Sequence, residues 1–134
     1  MVRVMISSKE KLFRGKEIEE LKKIDTREFA KLLTARERRS VMRNFNVIEE
    51  FVRDAKAKVA KGKAVRTHNR ALVIVPQLVG MRIRVHNGKD FAPVIISIEM
   101  LGHRLGEFAL TRKGVKHGAA GVGATKSSAA LSVK

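Results

Sequence analysis

Leu72-Val73-Ile74-Val75-Pro76, followed by Met81-Arg82-Ile83-Arg84-Val85-His86-Asn87-Gly88-Lys89, is the stretch that decides how this chain folds. The first part is an unbroken apolar, β-branched run stopped by a proline, which reads as a buried strand. In the second part Met81, Ile83 and Val85 alternate with Arg82, Arg84 and His86. A period of two sends neighbouring side chains to opposite sides, so this strand carries one apolar and one basic face. Asn87-Gly88 is a strong hairpin signal, because both residues tolerate the positive φ of a tight reversal. A return strand is therefore expected over residues 91–96, with Pro93 marking an edge or a bulge.

Upstream of this stretch the period is 3.6. Ile48, Phe51, Val52, Ala55 and Val59 fall on one helical face, away from Glu49, Glu50, Arg53, Asp54, Lys56 and Lys58. Asn46, three residues before Glu49, reads as the start of this helix and Gly62 as its stop. Asp25-Thr26-Arg27-Glu28 has capping-box spacing and places a helix start just before Phe29, Leu32 and Leu33. Thr34-Ala35-Arg36-Glu37 repeats it, so that helix either restarts or continues through Arg43. A short helix is expected over 17–24. Downstream, Ser97 is expected to cap a short helix reaching Leu105, with Gly106 near its end. Beyond Arg112 the chain is Gly, Ala, Ser and Lys, with too little apolar bulk to fold alone. The expected fold is α+β, with N-terminal helices packed on a small sheet of about three strands and an extended basic C-terminal tail. Residues 1–62 form the mainly helical part, 63–112 a small β-rich core, and 113–134 a flexible tail.

Charge narrows the function. The chain has 134 residues with 29 Lys and Arg against 13 Asp and Glu, a net +16. Like charge on that scale repels itself in a compact body, and a polyanion relieves it, nucleic acid being the first candidate. The charge is also segregated: residues 61–89 hold seven Lys or Arg and no acid, and residues 112–134 hold five and no acid. Solvated faces ordinarily mix both signs, so these runs read as a phosphate-binding surface. Hydrophobic residues still make up 44%, enough for a core. With no Cys there is no disulfide framework or thiolate metal site, which fits a reducing cytoplasm. No apolar run approaches the roughly 20 residues of a membrane span, and no signal-peptide pattern opens the chain, so no membrane partner is expected. Six Phe with no Tyr or Trp leave few rings for stacking bases, which argues against a base-stacking single-strand binder.

Candidate chemistry is sparse. A phosphate loop needs Gly immediately before the Lys and another Gly five residues earlier; before Lys126 and Ser127 those positions hold Thr125 and Ala120, so that motif fails. His68, His86, His103 and His117 are not spaced as a helical ligand pair, and no metal or other cofactor is expected. The acids sit mostly on the helical half as i,i+4 partners of Lys and Arg, and Glu99 and Glu107 read as caps or Arg partners, so no acid–base pair suggests an enzyme. The basic positions carry the signal. Arg36, Arg39 and Arg43 share a helical stripe; Lys61, Lys63, Arg66 and Arg70 crowd an expected exposed linker; Arg82 and Arg84 share a strand face; Lys89 follows the hairpin turn.

The second half also carries a spaced signature. Asn87-Gly88-Lys89, Ile96, Leu101-Gly102-His103, Leu105-Gly106-Glu107-Phe108 and Thr111-Arg112, extended upstream by Pro76-Gln77-Leu78-Val79-Gly80 and Val85-His86, resemble a universal small-subunit ribosomal protein family, the one numbered nineteen in the bacterial subunit. Phe13-Arg14-Gly15, Ala35-Arg36 with Arg38-Arg39, and Thr67-His68 with Arg70 resemble its archaeal and eukaryotic branch. So do Val115-Lys116-His117-Gly118, Gly121, Gly123-Ala124-Thr125 and Ser127-Ser128 in the tail. Eukaryotic members look more basic around residues 46–60, so the acids there favour an archaeal source. The resemblance implies a small α+β body in the head of the small subunit, on the 3′ major domain of its ribosomal RNA. It also implies a neighbouring head protein as partner (the family numbered thirteen), a bridge to the large subunit, and a tail reaching toward tRNA.

Taken with the charge, the resemblance makes 63–112 an RNA-binding core. The candidate contact residues are Arg36, Arg39, Arg43, Lys61, Lys63, Arg66, His68, Arg70, Arg82, Arg84, His86, Asn87, Lys89, His103, Arg104, Arg112, Lys113, Lys116 and His117. Arginine suits this because its planar fork holds two phosphate oxygens at once. Two other classes compete: a DNA-compacting chromatin protein, and an adaptor that docks a partner on the apolar face of the 46–61 helix.

Overall fold

The computed structural model describes residues 12–115. Its helices are α1 (Ile18–Lys23), α2 (Thr26–Leu32), α3 (Ala35–Arg43) and α4 (Phe45–Ala60). Asp25 and Thr34 stand at the N-cap positions of α2 and α3 with extended backbone, as their spacing predicts, yet neither side chain makes a capping hydrogen bond. The chain restarts at Thr34 instead of continuing. α4 begins one residue before Asn46, which corrects its expected start. The boundary is Asn44, whose backbone N–H and side-chain amide both donate to the Ser40 carbonyl at 3.1 Å. Glu49 does not cap but accepts a 2.6 Å bond from the buried Thr26 hydroxyl, tying α4 to α2. Ile48, Val52 and Ala55 are buried and Phe51 packs against them, but Val59 is 49% exposed, because the last turn of α4 runs past the core. The helix closes in a Schellman arrangement: Gly62, at φ +65°, donates to Val59 at 3.0 Å and Lys63 to Lys58 at 2.8 Å.

The sheet has three strands in the order β1 (Val65–Thr67), β2 (Arg82–His86), β3 (Phe91–Ile95), β1 parallel and β3 antiparallel to β2. Pro93 lies on the edge strand, where a missing N–H leaves no neighbour unpaired. β1 corrects the expectation of an exposed linker: Val65 and Thr67 are buried, Arg66 points out and Arg70 is half-buried. Val65, Ile83, Val85 and Val94 form the inner face and share one core with Leu21, Phe29, Ile48 and Val52 of the helices. Four helices against a mixed three-stranded sheet make the fold α+β.

Residues 72–75 are buried as expected but belong to no strand. Their backbone is satisfied elsewhere: Ile74 bonds His103 and Gly102, and Leu72 accepts from Leu105, with a single bridge between Val73 and Arg104. That pairing also overturns the helix expected from Ser97 to Leu105. Two 3-10 turns, Ile98–Met100 and Leu105–Phe108, flank an extended piece that lies along 70–74. Gly102 makes the break, at φ +80° and with the space for a Cβ only 2.8 Å from Leu33 Cδ2. Gly102→Ala is expected to cost on the order of 2 kcal/mol, combining left-handed strain with a shift of Leu33. A lower urea midpoint at unchanged m would show it; an unchanged midpoint would mean that the turn relaxes freely.

Near the start of the described chain, Arg14 and Gly15 both have positive φ, so Phe13 and Lys16 bond each other at 3.0 and 3.1 Å. The turn sets the Phe13 ring 5.8 Å from that of buried Phe29. Of the expected tail, only Lys113, Gly114 and Val115 are described; they are exposed and outside any helix or strand. Residues 126 and 127 lie outside the described residues.

Candidate nucleic-acid interface

The strand register sets one face of the sheet. Arg66 pairs with Arg84, Arg84 with Pro93, His86 with Phe91 and Arg82 with Ile95, and paired residues project to the same side. That side is opposite the core, so it presents Arg66, Arg82, Arg84 and His86 together. Arg66 and Arg82 are exposed and Arg84 half-buried. Lys63 joins Arg82 and Arg84 in lining a groove with Val59, Gly62, Ala64, Gly80 and Met81. Lys61 is exposed at the end of α4. Among the described residues no carboxylate lies within ion-pair distance of Arg66, Arg82 or Arg84. Like charges set side by side on neighbouring strands raise the free energy of the isolated fold.

A second basic groove lies at the hairpin, where Lys89, Arg112 and Lys113 line one concavity with Asn87, Asp90, Leu110 and Thr111. Asn87 acts there as a turn former: its Oδ1 accepts the N–H of Lys89 at 3.1 Å and of Asp90 at 2.7 Å. Gly88, at φ +104°, then donates to His86 Nδ1 at 3.2 Å, fixing that ring.

Arg70 differs from the other candidates, because its guanidinium faces inward. It donates to the carbonyls of His86 at 2.6 Å and of Gly106 and Ala109 at 2.7 Å. Gly106 answers from its own N–H to the Arg70 carbonyl at 2.8 Å, and a Cβ on Gly106 would come within 3.0 Å of Arg70. His103 is exposed and bonds Glu107 at 2.8 Å. Arg104 donates from its backbone to Glu107 at 3.1 Å and from its side chain to Ser40 at 3.3 Å, reaching α3. The Arg104 backbone N–H, with help from His103, holds the Glu107 carboxyl below the usual carboxylate range, against a smaller opposing effect of desolvation.

Arg36, Arg39 and Arg43 are exposed along α3, as their spacing requires. His68 is exposed just beyond β1. Lys116 and His117 lie outside the described residues. Phe91 is the candidate that sequence reasoning missed. The sequence places it only in the return strand, and the register then pairs it with His86 on the outer face. Among the described residues no cluster of three His, Asp or Glu could hold a metal ion.

Residues 36–117, more than half of the chain, match the model of the family described as Ribosomal protein S19. The chain belongs to that family. The match starts on α3 and takes in α4, all three strands, the 72–75 run and the hairpin signature. This S19 chain is therefore a structural protein of the small ribosomal subunit and not an enzyme, and its place is on the ribosome in the cytoplasm. Among the described residues no helix is long and apolar enough to cross a membrane. Membership leaves the DNA-compacting reading without support. The docking-helix reading meets a different obstacle: Ile48, Val52 and Ala55 of α4 are already buried in the chain's own core.

Proposed function

We propose that this S19 chain binds small-subunit ribosomal RNA in the head of the subunit, through the outer face of its sheet and the groove beside its hairpin. One observation carries the reading: Arg66 and Arg84 stand in register on neighbouring strands, Arg82 shares their face, and no described carboxylate pairs with them. The sequence tolerates that repulsion because a phosphate backbone would convert it into attraction. Arg66, Arg82, Arg84, Lys63 and Lys89 contact phosphates, with Arg112 and Lys113 closing the second groove. Arg70 serves as an internal clasp. Recognition is of RNA shape, since A-form grooves hide base edges from side chains. A neighbouring head protein, tRNA and the inter-subunit bridge are the remaining proposed partners, and an archaeal source the proposed origin; all of these rest on the resemblance.

The test is co-sedimentation of tagged protein with small subunits through a sucrose gradient after a high-salt wash, joined to filter binding of deproteinised small-subunit RNA across salt. Near-stoichiometric sedimentation is expected, with affinity falling by about 0.7–0.9 in log–log slope per phosphate contact. Release from the subunit together with a flat salt dependence would overturn the reading.

A further inference from the structure

Three rings meet on the outer face of the sheet, at the ends of its three strands. His68 follows β1, His86 ends β2 and Phe91 opens β3. The His68 and His86 centroids are 4.4 Å apart at a tilt of 38°, and the Phe91 ring is steeply inclined to both, at 78° and 67°, with centroids 5.1 and 5.0 Å away. The Arg66 guanidinium lies over the Phe91 ring at 5.6 Å. Core packing does not explain the cluster, because the register puts it opposite Val65, Ile83, Val85 and Val94, and His68 is exposed. The cluster is also held in place. Gly88 N–H donates to His86 Nδ1, and Asn69 N–H bonds the Thr67 hydroxyl at 3.0 Å across the bend at His68.

We infer that His68 and Phe91 form a stacking site for one unpaired nucleotide of the bound RNA, its flanking phosphates held by Arg66 and Arg84. The inference rests on the ribosomal-RNA reading and adds to it a place where a base leaves its own helix. Charge decides the occupant. A surface of rings rimmed by Arg66 and Arg84, with no described carboxylate pairing them, suits a base carrying phosphates better than an aromatic side chain of another protein. A count of Phe, Tyr and Trp overlooks such a site because two of its three rings are imidazoles. One pocket for one base is also compatible with recognition that is otherwise of shape.

The experiment compares His68→Ala, His68→Phe and Phe91→Leu in filter binding to deproteinised small-subunit RNA, across a salt series. A perfect RNA duplex serves as a second probe, and urea unfolding checks each fold. His68→Ala and Phe91→Leu are expected to weaken binding to the ribosomal RNA by about 10- to 100-fold with the salt slope unchanged. His68→Phe, which keeps a π face, should stay within about 3-fold of wild type, and duplex binding should be indifferent to all three. Wild-type affinity in His68→Ala would overturn stacking while leaving the phosphate surface standing, provided the wild-type slope is steep. Equal losses in His68→Ala and His68→Phe would assign the residue a hydrogen bond and also overturn it. A flat slope in wild type would remove the underlying reading itself.

Discussion

Arg70→Ala is expected to destabilise the fold by about 3–5 kcal/mol, a large share of the roughly 5–15 kcal/mol that holds a domain of this size. Three carbonyls, those of His86, Gly106 and Ala109, lose a charged donor at 2.6–2.7 Å in one step. Hydrogen bonds to a charged group contribute about 1.5–3 kcal/mol each, but three from one guanidinium do not add fully, and a half-buried site admits some replacement water. Arg70→Lys should recover less than half of the loss, because a single ammonium cannot span three acceptors that a planar fork reaches together. The three bonds join the end of β2, the Leu105–Phe108 turn and Ala109, so the hairpin and the signature segment should loosen together. Urea unfolding reads the loss as a lower midpoint, and amide exchange should speed at Gly106, which bonds the Arg70 carbonyl, and at Leu105 beside it. A loss below about 1 kcal/mol would mean that water satisfies these carbonyls and the clasp is incidental.

This residue shows where sequence reading stops. Arg70 stands in an acid-free basic run, and composition gives it the same status as Lys63 or Arg66. Its partners lie 16, 36 and 39 residues away, and no local pattern can indicate them. β1 is hidden for a related reason. Three residues with one buried aliphatic side chain are too short for alternation to register, and their pairing with β2 is non-local. The 72–75 run was legible as buried but not as to type. Burial on all sides erases periodicity, and its backbone partners turn out to be residues 102–105 rather than a strand.

Where one face is wet the sequence is far more explicit. The alternation at 81–86 fixes β2, its outward Arg82 and Arg84, and through Asn87-Gly88 the return strand. α4 is read correctly over Ile48, Val52 and Ala55 because one stripe meets the core and the rest meets water. Capping signals place the starts of α2 and α3 although the side-chain bonds are absent. Asp25 and Thr34 therefore act there by accepting an extended backbone just before a helix rather than by capping. The candidate surface was legible strand by strand, but its assembly was not. Arg66 comes beside Arg84, and Phe91 beside His86, only through the register.

That assembly leads to the second large effect, in the double variant Arg82→Ala/Arg84→Ala. Binding to deproteinised small-subunit RNA should weaken by about 10- to 100-fold near physiological salt, and the log–log slope should fall by about 1.4–1.8, two contacts at 0.7–0.9 each. Stability should move the other way or stay put. Arg84 faces Arg66 across the parallel pair, with Arg82 on the same face and no described carboxylate to offset them, so removing two charges relieves repulsion in the free protein. A residue that contributed to the fold alone would lower the urea midpoint when truncated, so the opposed signs separate a binding role from a structural one. Lys22→Ala/Lys23→Ala supplies the matched control, since it removes the same charge from exposed positions on α1, away from the sheet face. If that pair reduces the slope equally, the RNA is reading net charge and not this face. If only the Arg82/Arg84 pair reduces it, the register of Arg66, Arg82 and Arg84 is what positions the phosphates.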